Sequence, residues 1–247
     1  MNITVLTFDT LDSTNTEALK QARLGADEGL CVLADHQTAG RGRNGRTWIS
    51  AKGSGLYFSI VLRPKIDSKY VPLITLMTGV AVHDTLAGIG LRPDIKWVND
   101  VLANEKKISG ILAETAETSK GLAVVAGIGI NIRSSNFPDE IADIATSIEH
   151  ETGRVISPAK LASALTGFIN YFYDILTGEE GPAKVLSAWQ SRSTYFSGKK
   201  VKAWSGNETI TGTTDGLEAN GALRIRDEDG KLTIVHAGYV ERLRQAE

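Results

Sequence analysis

Residues 40–48 read GRGRNGRTW, and their types and spacing suit a loop that closes over an anion. Gly40, Gly42 and Gly45 let the backbone take positive φ and approach a bound group closely, while Arg41, Arg43 and Arg46 bring positive charge with no acidic residue between them. Gly-rich turns and Arg-rich solvated faces are each common, so the surrounding chain has to decide what this loop does. Ser13 and Thr14 stand where a helix begins. Two hydroxyls beside the unpaired N–H groups of a helix start make a seat for a small polar ligand, although each also serves simply as a cap. Lys96, Asp100 and Lys107 are charged residues abutting runs that otherwise read as buried strands.

The elements that must position these groups follow from periodicity. Residues 3–8 alternate as a strand, and Thr14 with Glu17 fits a capping box that opens a helix carrying Ala18, Leu19, Ala22 and Leu24. Residues 30–37 and 56–62 are strands, the second closed by Pro64, so the Gly/Arg loop joins two strands. Residues 71–88 place Leu73, Ile74, Met77, Val80, Ala81 and Leu86 on one helical face. Residues 95–102, IKWVNDVL, read as one short strand that breaks at Asn99 and Asp100. After a polar turn at Asn104 and Glu105, residues 108–113 and 122–130 read as antiparallel neighbours. Residues 134–153 look polar and irregular. Ser157 followed by Pro158 opens an amphipathic helix, and a second helix starts near Pro182. From Gly198 onward, short runs at 199–204, 208–214, 222–226, 232–236 and 239–243 alternate with Gly, Asn and Asp turns, the spacing of a small barrel. A boundary near Ser197 divides the chain into 1–196 and 197–247.

A net charge of -2 excludes bulk electrostatic attraction to nucleic acid or to an acidic membrane surface. Cys31 is the only cysteine, so no internal disulfide framework exists, and its apolar neighbours mark it as a buried small side chain. The start, MNITVLTFDT, has neither a basic n-region nor an apolar h-region. The longest apolar stretch, 71–89, is interrupted by Thr75, Thr78, His83 and Asp84. The expectation is a cytoplasmic protein with no membrane partner.

Two familiar nucleotide loops fit poorly. Residues 40–47 match G-x-x-x-x-G-[K/R]-[S/T], with Arg46 at the lysine position, but a Walker A loop needs a helix immediately after it and here a strand follows. Gly127-Ile128-Gly129 hints at a dinucleotide loop, yet the third glycine is missing and the segment lies between strands.

The whole set of motifs resembles the biotin protein ligases. It comprises DSTN from Asp12, QTAGRGRNGRTW from Gln37, KWVND from Lys96, KISGIL from Lys107, GIGIN from Gly127 and the C-terminal barrel, in the family's order. Val98 departs from the pattern, standing where the family usually has proline. The sister branch, lipoate ligases and octanoyltransferases, typically carries Arg-Arg-x-x-Gly-Gly-Gly, which is absent. A non-enzymatic biotin- or nucleotide-binding regulator is the other reading, and it predicts binding without pyrophosphate release. With DSTN at residue 12, the resemblance is to the short form lacking an N-terminal DNA-binding domain.

What the resemblance implies is an α+β fold, a mixed and antiparallel sheet flanked by helices of the class II synthetase-like kind, with an SH3-like C-terminal barrel. It implies a two-step reaction in which biotin and ATP form biotinyl-5′-AMP, from which biotin passes to a lysine of a biotin carboxyl carrier domain of acetyl-CoA carboxylase or a related carboxylase. Carried over residue by residue, the biotin positions are Ser13, Thr14, Asn15, Gln37, Gly40, Arg41, Gly42, Arg43 and Lys107. The ATP positions are Arg43, Arg46, Trp48, Lys96, Asn99 and Asn131. Lys107, Arg43 and Asp100 are the catalytic set, and Mg2+ is expected through the ATP phosphates. Exposed strands in this family often pair in dimers, which leaves monomer and homodimer both open, and no DNA partner is expected. The Gly/Arg loop is expected to be mobile without ligand and to order over the adenylate.

Overall fold

The computed structural model describes residues 1–133, 137, 139–205, 208–236 and 239–242. Seven strands form one sheet: β1 (Thr4–Leu11), β2 (Leu30–Gln37), β3 (Gly55–Leu62), β4 (Pro93–Lys96), β5 (Asp100–Ala103), β6 (Lys106–Thr118) and β7 (Gly121–Asn131). Their order is β1-β2-β3-β7-β6-β5-β4. The β1–β2 pair is parallel and the other five pairs are antiparallel, so the sheet is mixed.

Each face of the sheet is covered by helices, which is why β3, beside the central strand β7, is buried at every residue. On one face α1 (Thr14–Arg23) sets Ala18, Leu19 and Ala22 against Val32, Val61 and Val125. On the other, α2 (Leu73–Ala87) packs Ile74, Met77 and Val80 with Phe58, Ile60 and Ile128. Eleven of the fifteen α2 residues are buried, and each fully buried Leu, Ile or Met contributes about 1.5–3 kcal/mol. Ser68–Ala87 is long and apolar enough to span a bilayer by composition, but here its apolar side chains form the core. Cys31 lies in the same core, where burial pushes its thiol up to about 12.

Three differences from the local reading have physical causes. First, residues 95–102 are not one interrupted strand but a hairpin in which β4 pairs β5, with Lys96 opposite Asp100 and a cis Trp97–Val98 peptide in the turn. Second, the stretch read as irregular contains two short helices, α3 (Asp139–Ala142) and α4 (Ile148–Thr152); Ser147 caps α4 by accepting from the His150 N–H. Residues 134–136 and 138 of that stretch, and Leu243 of the last predicted run, lie outside the described residues. Third, the Thr14–Glu17 capping box does not form. Ser13 is the N-cap and makes no side-chain cap bond. Thr14 already belongs to the helix, and its N–H is satisfied by Gln37 Oε1 from β2 at 2.8 Å. The cap is supplied across the fold, beyond the reach of a local pattern.

Helices α5 (Pro158–Thr177) and α6 (Gly181–Gln190) back α2, and the Ser157 side chain caps α5 by accepting from the Lys160 N–H. A second sheet follows, with β8 (Ser197–Ser205), β9 (Glu208–Leu217), β10 (Leu223–Arg226), β11 (Leu232–Val235) and β12 (Tyr239–Arg242) in the antiparallel order β11-β10-β9-β8-β12. Its Val201, Ala203, Leu223 and Ile225 join the α2 core. The buried Trp97 donates from Nε1 to the Gly221 carbonyl at 2.9 Å, fastening the β4–β5 turn to the second sheet. Gly221, at φ +86, meets Leu73 and Leu76 so closely that a Cβ would stand within 2.9 Å of each.

Candidate active site

Strand β2 ends at Gln37 and hands the chain to the Gly/Arg loop, which is bonded to itself. Trp48 N donates to Gly40 O at 2.9 Å, Gly42 N donates to Arg46 O at 2.7 Å, and Arg41 bridges Thr47. A 3₁₀ turn at Arg43–Gly45 forms the tip, with Asn44 and Gly45 in the left-handed region at φ 54 and 73. At Gly40 a Cβ would meet the Trp48 carbonyl oxygen at 2.4 Å, so only glycine lets the two arms close. Most of the loop is exposed, and no apolar side chain before Trp48 anchors it. Amide hydrogen exchange across residues 40–48 is therefore expected to slow markedly when biotin and ATP are both added. Equal protection with and without them would contradict a closing role.

The loop covers a cavity of about 130 Å³. One end is a polar network: Gln37 Oε1 accepts from the Thr14 N–H and hydroxyl, Gln37 Nε2 donates to Ser50 Oγ, and the buried Ser59 hydroxyl lies 2.6 Å from Asn15 Oδ1 and 2.8 Å from Thr14 Oγ1. Ser13 and Arg41 complete that end. The other end is charged. Lys107 Nζ lies 2.7 Å from Asp100 Oδ1 and 5.4 Å from the centre of the Trp48 ring. Arg43 Nη1 donates to Asn99 Oδ1 at 3.3 Å. Burial holds the Arg43 guanidinium below its ordinary value, opposed by Asp100 and reinforced by Arg46. A guanidinium stays charged even so, and a partly desolvated one is stabilised by an incoming anion.

The backbone around these groups is fixed from both sides. Asn99 exchanges two bonds with Ile111, its N–H group of the amide donating to the Ile111 carbonyl at 2.9 Å and its own carbonyl accepting from Ile111 N at 2.9 Å. Lys107 N donates to Ile144 O at 2.8 Å and Lys107 O accepts from Thr146 N at 2.9 Å.

Beyond Trp48 lies a second cavity of about 220 Å³, with Ile49, Phe137, Ile141 and Ile144 on its apolar side and Asn131 and Arg133 among its polar groups. Asn131 Nδ2 donates to Thr146 O at 3.0 Å. Arg46, Thr47, Trp48, Asp100 and Lys107 line both cavities and so form a shared wall.

The structure thus gathers Ser13, Thr14, Asn15, Gln37, Arg41, Gly42, Arg43, Asn99, Asp100 and Lys107 around the first cavity, and Asn131 at the second. Gly40 lines neither and shapes the loop. Lys96 also lines neither cavity; its place is opposite Asp100 on the hairpin. Other residues act at the site without a motif to announce them. A Cβ at Gly129 would stand 2.3 Å from Trp48 Cε2, and one at its ladder partner Gly110 would stand 2.9 Å from Trp48 Cζ3, so the indole lies flat on the sheet because both positions are bare. At Gly127 a Cβ would stand 2.0 Å from Asn15 Oδ1. Glu114, on β6, holds Arg41 and Asn15 through one carboxylate oxygen. The regular spacing of GIG in the sequence was the one available signal for these close approaches.

A polar cavity and a more apolar one, sharing a cationic wall on a mixed α+β sheet, can bring two substrates together beneath one Arg-rich loop. Comparison with known proteins agrees. Residues 7–131 match the biotin/lipoate A/B protein ligase family, and residues 196–243 match the biotin protein ligase C-terminal domain. The chain is 39% identical over 234 residues to the bifunctional ligase/repressor BirA of Bacillus subtilis, covering 93% of this chain and 71% of that protein. It is 34% identical over 231 residues to the biotin--[acetyl-CoA-carboxylase] ligase of Paracoccus denitrificans, covering 90% and 94%. The solved biotin protein ligase from Aquifex aeolicus in complex with biotin and ATP superposes with a TM-score of 0.82 at 30% identity, over 97% of this chain and 99% of that one. The chain belongs to the biotin/lipoate A/B protein ligase family.

Proposed function

We propose that this chain is an ATP-dependent biotin protein ligase. The observation that carries the reading is the wall shared by the two cavities, where Lys107, Asp100 and Arg46 stand, with Arg43 beside them on the first cavity, at the place that an acid in the first and a nucleotide in the second would meet. A biotin carboxylate oxygen attacks the α-phosphorus of ATP, the bond to the β-phosphate oxygen breaks, and pyrophosphate leaves. The neutral ε-amine of a carrier lysine then attacks the acyl carbon of the mixed anhydride, the acyl–oxygen bond breaks, and AMP leaves with the electron pair.

Two anions approach in the first step, so the cations are the groups that lower its barrier. Thr14 and Gln37 offer donors and acceptors to the ureido ring at the neutral end. Trp48 and the apolar side of the second cavity accept the adenine, with Asn131 in hydrogen-bond range of that space. Asp100 holds Lys107 in place and stands where the carrier amine would arrive; a lysine's ordinary value of about 10.4 leaves little neutral amine at pH 7, so a nearby carboxylate assists its deprotonation. Mg2+ would enter as part of the Mg-ATP substrate, with Asp100, which lines both cavities, as a carboxylate that would face it.

The carrier partner is proposed as a biotin carboxyl carrier domain of acetyl-CoA carboxylase, supported by the printed activity of the Paracoccus relative. The use of ATP supports a cytoplasmic location. The sheet-edge strand β1, with Val5 exposed on it and Ile3 exposed just before it, supports strand pairing in a homodimer. No DNA or membrane partner forms part of the proposal.

The test is to incubate the protein with a carrier domain, biotin and Mg-ATP and weigh the carrier by mass spectrometry. One biotinyl group per carrier, lost when ATP is omitted, is the expected result. Lipoyl or octanoyl transfer in its place would move the chain to the sister activity, and binding with no transfer would leave the regulator reading.

A further inference from the structure

The cations around the first cavity are not equivalent. Lys107 and Glu114 lie seven positions apart on β6, roughly 23 Å at about 3.3 Å per residue; Lys107 lines the cavity, and Glu114 stands behind its Thr14 end, bonded to the lining residues Arg41 and Asn15. At the Lys107 end, Lys107 pairs with Asp100 at 2.7 Å, and Arg43 and Arg46 of the loop line the same part of the cavity. At the other end, Arg41 Nη2 lies 2.7 Å from Glu114 Oε2, and the same oxygen accepts from Asn15 Nδ2 at 2.8 Å. Asn15 sits in the first turn of α1, whose N-terminus adds a partial positive charge. One carboxylate therefore faces a guanidinium and a helix start together. The Arg41 and Glu114 side chains are 44% and 25% exposed, and an ion pair that exposed adds little to stability. Its consequence is for where charge sits.

We infer that Glu114 is a positioning residue that sets the direction in which the acid binds. By neutralising Arg41 and the start of α1, it makes the Thr14–Gln37 end suitable for an uncharged head group and leaves the Lys107 and Arg43 end as the seat for the carboxylate. This rests on the reading of the first cavity as the acid site. Without the Glu114 charge, Arg41 becomes a second carboxylate seat at the wrong end. An acid held there lies with its reactive oxygen away from the nucleotide cavity and does not react.

Glu114→Gln tests this cleanly, because the amide oxygen still accepts from Asn15 and Arg41 while the charge is gone. Wrong-way binding has a kinetic signature that lost packing lacks. In biotin-dependent pyrophosphate exchange, kcat and KM for biotin fall together by about fivefold, with kcat/KM held within about twofold. The melting temperature stays within about 2 °C. Removing the competing cation in R41Q/E114Q restores most of the lost kcat. Wild-type kcat and KM in E114Q, a raised KM, a fall in kcat/KM, or no recovery in the double variant would each overturn the inference. If the wild-type protein itself gave no exchange with biotin, the functional reading would fail, and this inference with it.

Discussion

Lys107→Ala is expected to slow formation of the adenylate by about 10²–10³, or about 3–4 kcal/mol of transition-state stabilisation. Its Nζ stands on the wall common to both cavities beside Arg46, paired with Asp100 at 2.7 Å and resting over Trp48. Charge that develops as carboxylate and phosphate meet would lose its nearest fixed counter-charge. The fold should survive, because the Lys107 side chain is 35% exposed and its backbone bonds to Ile144 and Thr146 do not depend on the side chain. Asp100 is left without its lysine, a cost of about 1–3 kcal/mol that the nearby Arg43 limits. Single-turnover adenylation and thermal melting on the same preparation separate the two effects. A variant that melts far lower yet adenylates normally when folded would make Lys107 structural.

Gly129→Ala should produce the opposite pairing of effects for a methyl group. The added Cβ would stand 2.3 Å from Trp48 Cε2 and 2.6 Å from Trp48 Nε1, so the indole has to leave the sheet. The three atoms nearest that Cβ all belong to Trp48. Gly129 pairs Tyr57 on β3 and Gly110 on β6 in ordinary extended backbone, and alanine in place of glycine reduces the entropy lost on folding, about 0.4–1 kcal/mol in favour of the variant. The expected result is an unchanged or raised melting temperature with KM for ATP raised by about tenfold or more, since the wall between the cavities is displaced. Trp48 fluorescence in the free protein should change as well. Among the described residues the Trp48 Nε1 has no hydrogen-bond partner while the ring lies on the sheet, and leaving that position exposes it to water. An ATP dependence like that of the wild type would show that the ring's seat on Gly110 and Gly129 has no part in nucleotide binding.

Much of this site was legible because its signals are local. Gln37 at a strand end, the glycines and arginines of the loop, and Lys107 at the mouth of β6 follow from composition and alternation, and α5 follows from Ser157 and Pro158. What escaped is what depends on partners distant in sequence. The cap of α1 comes from Gln37, twenty-three residues on, so a capping box was read where none forms. Glu114 looks like any solvent-facing residue of an alternating strand, and its meaning lies in Arg41, seventy-three residues away. The β4–β5 hairpin hid because its strands are four residues each and no Asn-Gly or Asp-Gly turn divides them. Helices α3 and α4 are single turns of four and five residues, too short for a helical period to register. By local pattern the two glycines of GIGIN hint at a dinucleotide loop. In the fold they are bare floor under Asn15 and Trp48, a role visible only when the loop and helix are set on the sheet.

The most direct measurement is exchange of labelled pyrophosphate into ATP with no carrier protein present, run with biotin, with lipoate, with octanoate and with no acid. Exchange that requires biotin is the result this account predicts, because it reports reversible formation of biotinyl-5′-AMP at the wall between the two cavities. Exchange supported by lipoate or octanoate in place of biotin, or none with any acid from protein shown to be folded and to bind biotin, would contradict it.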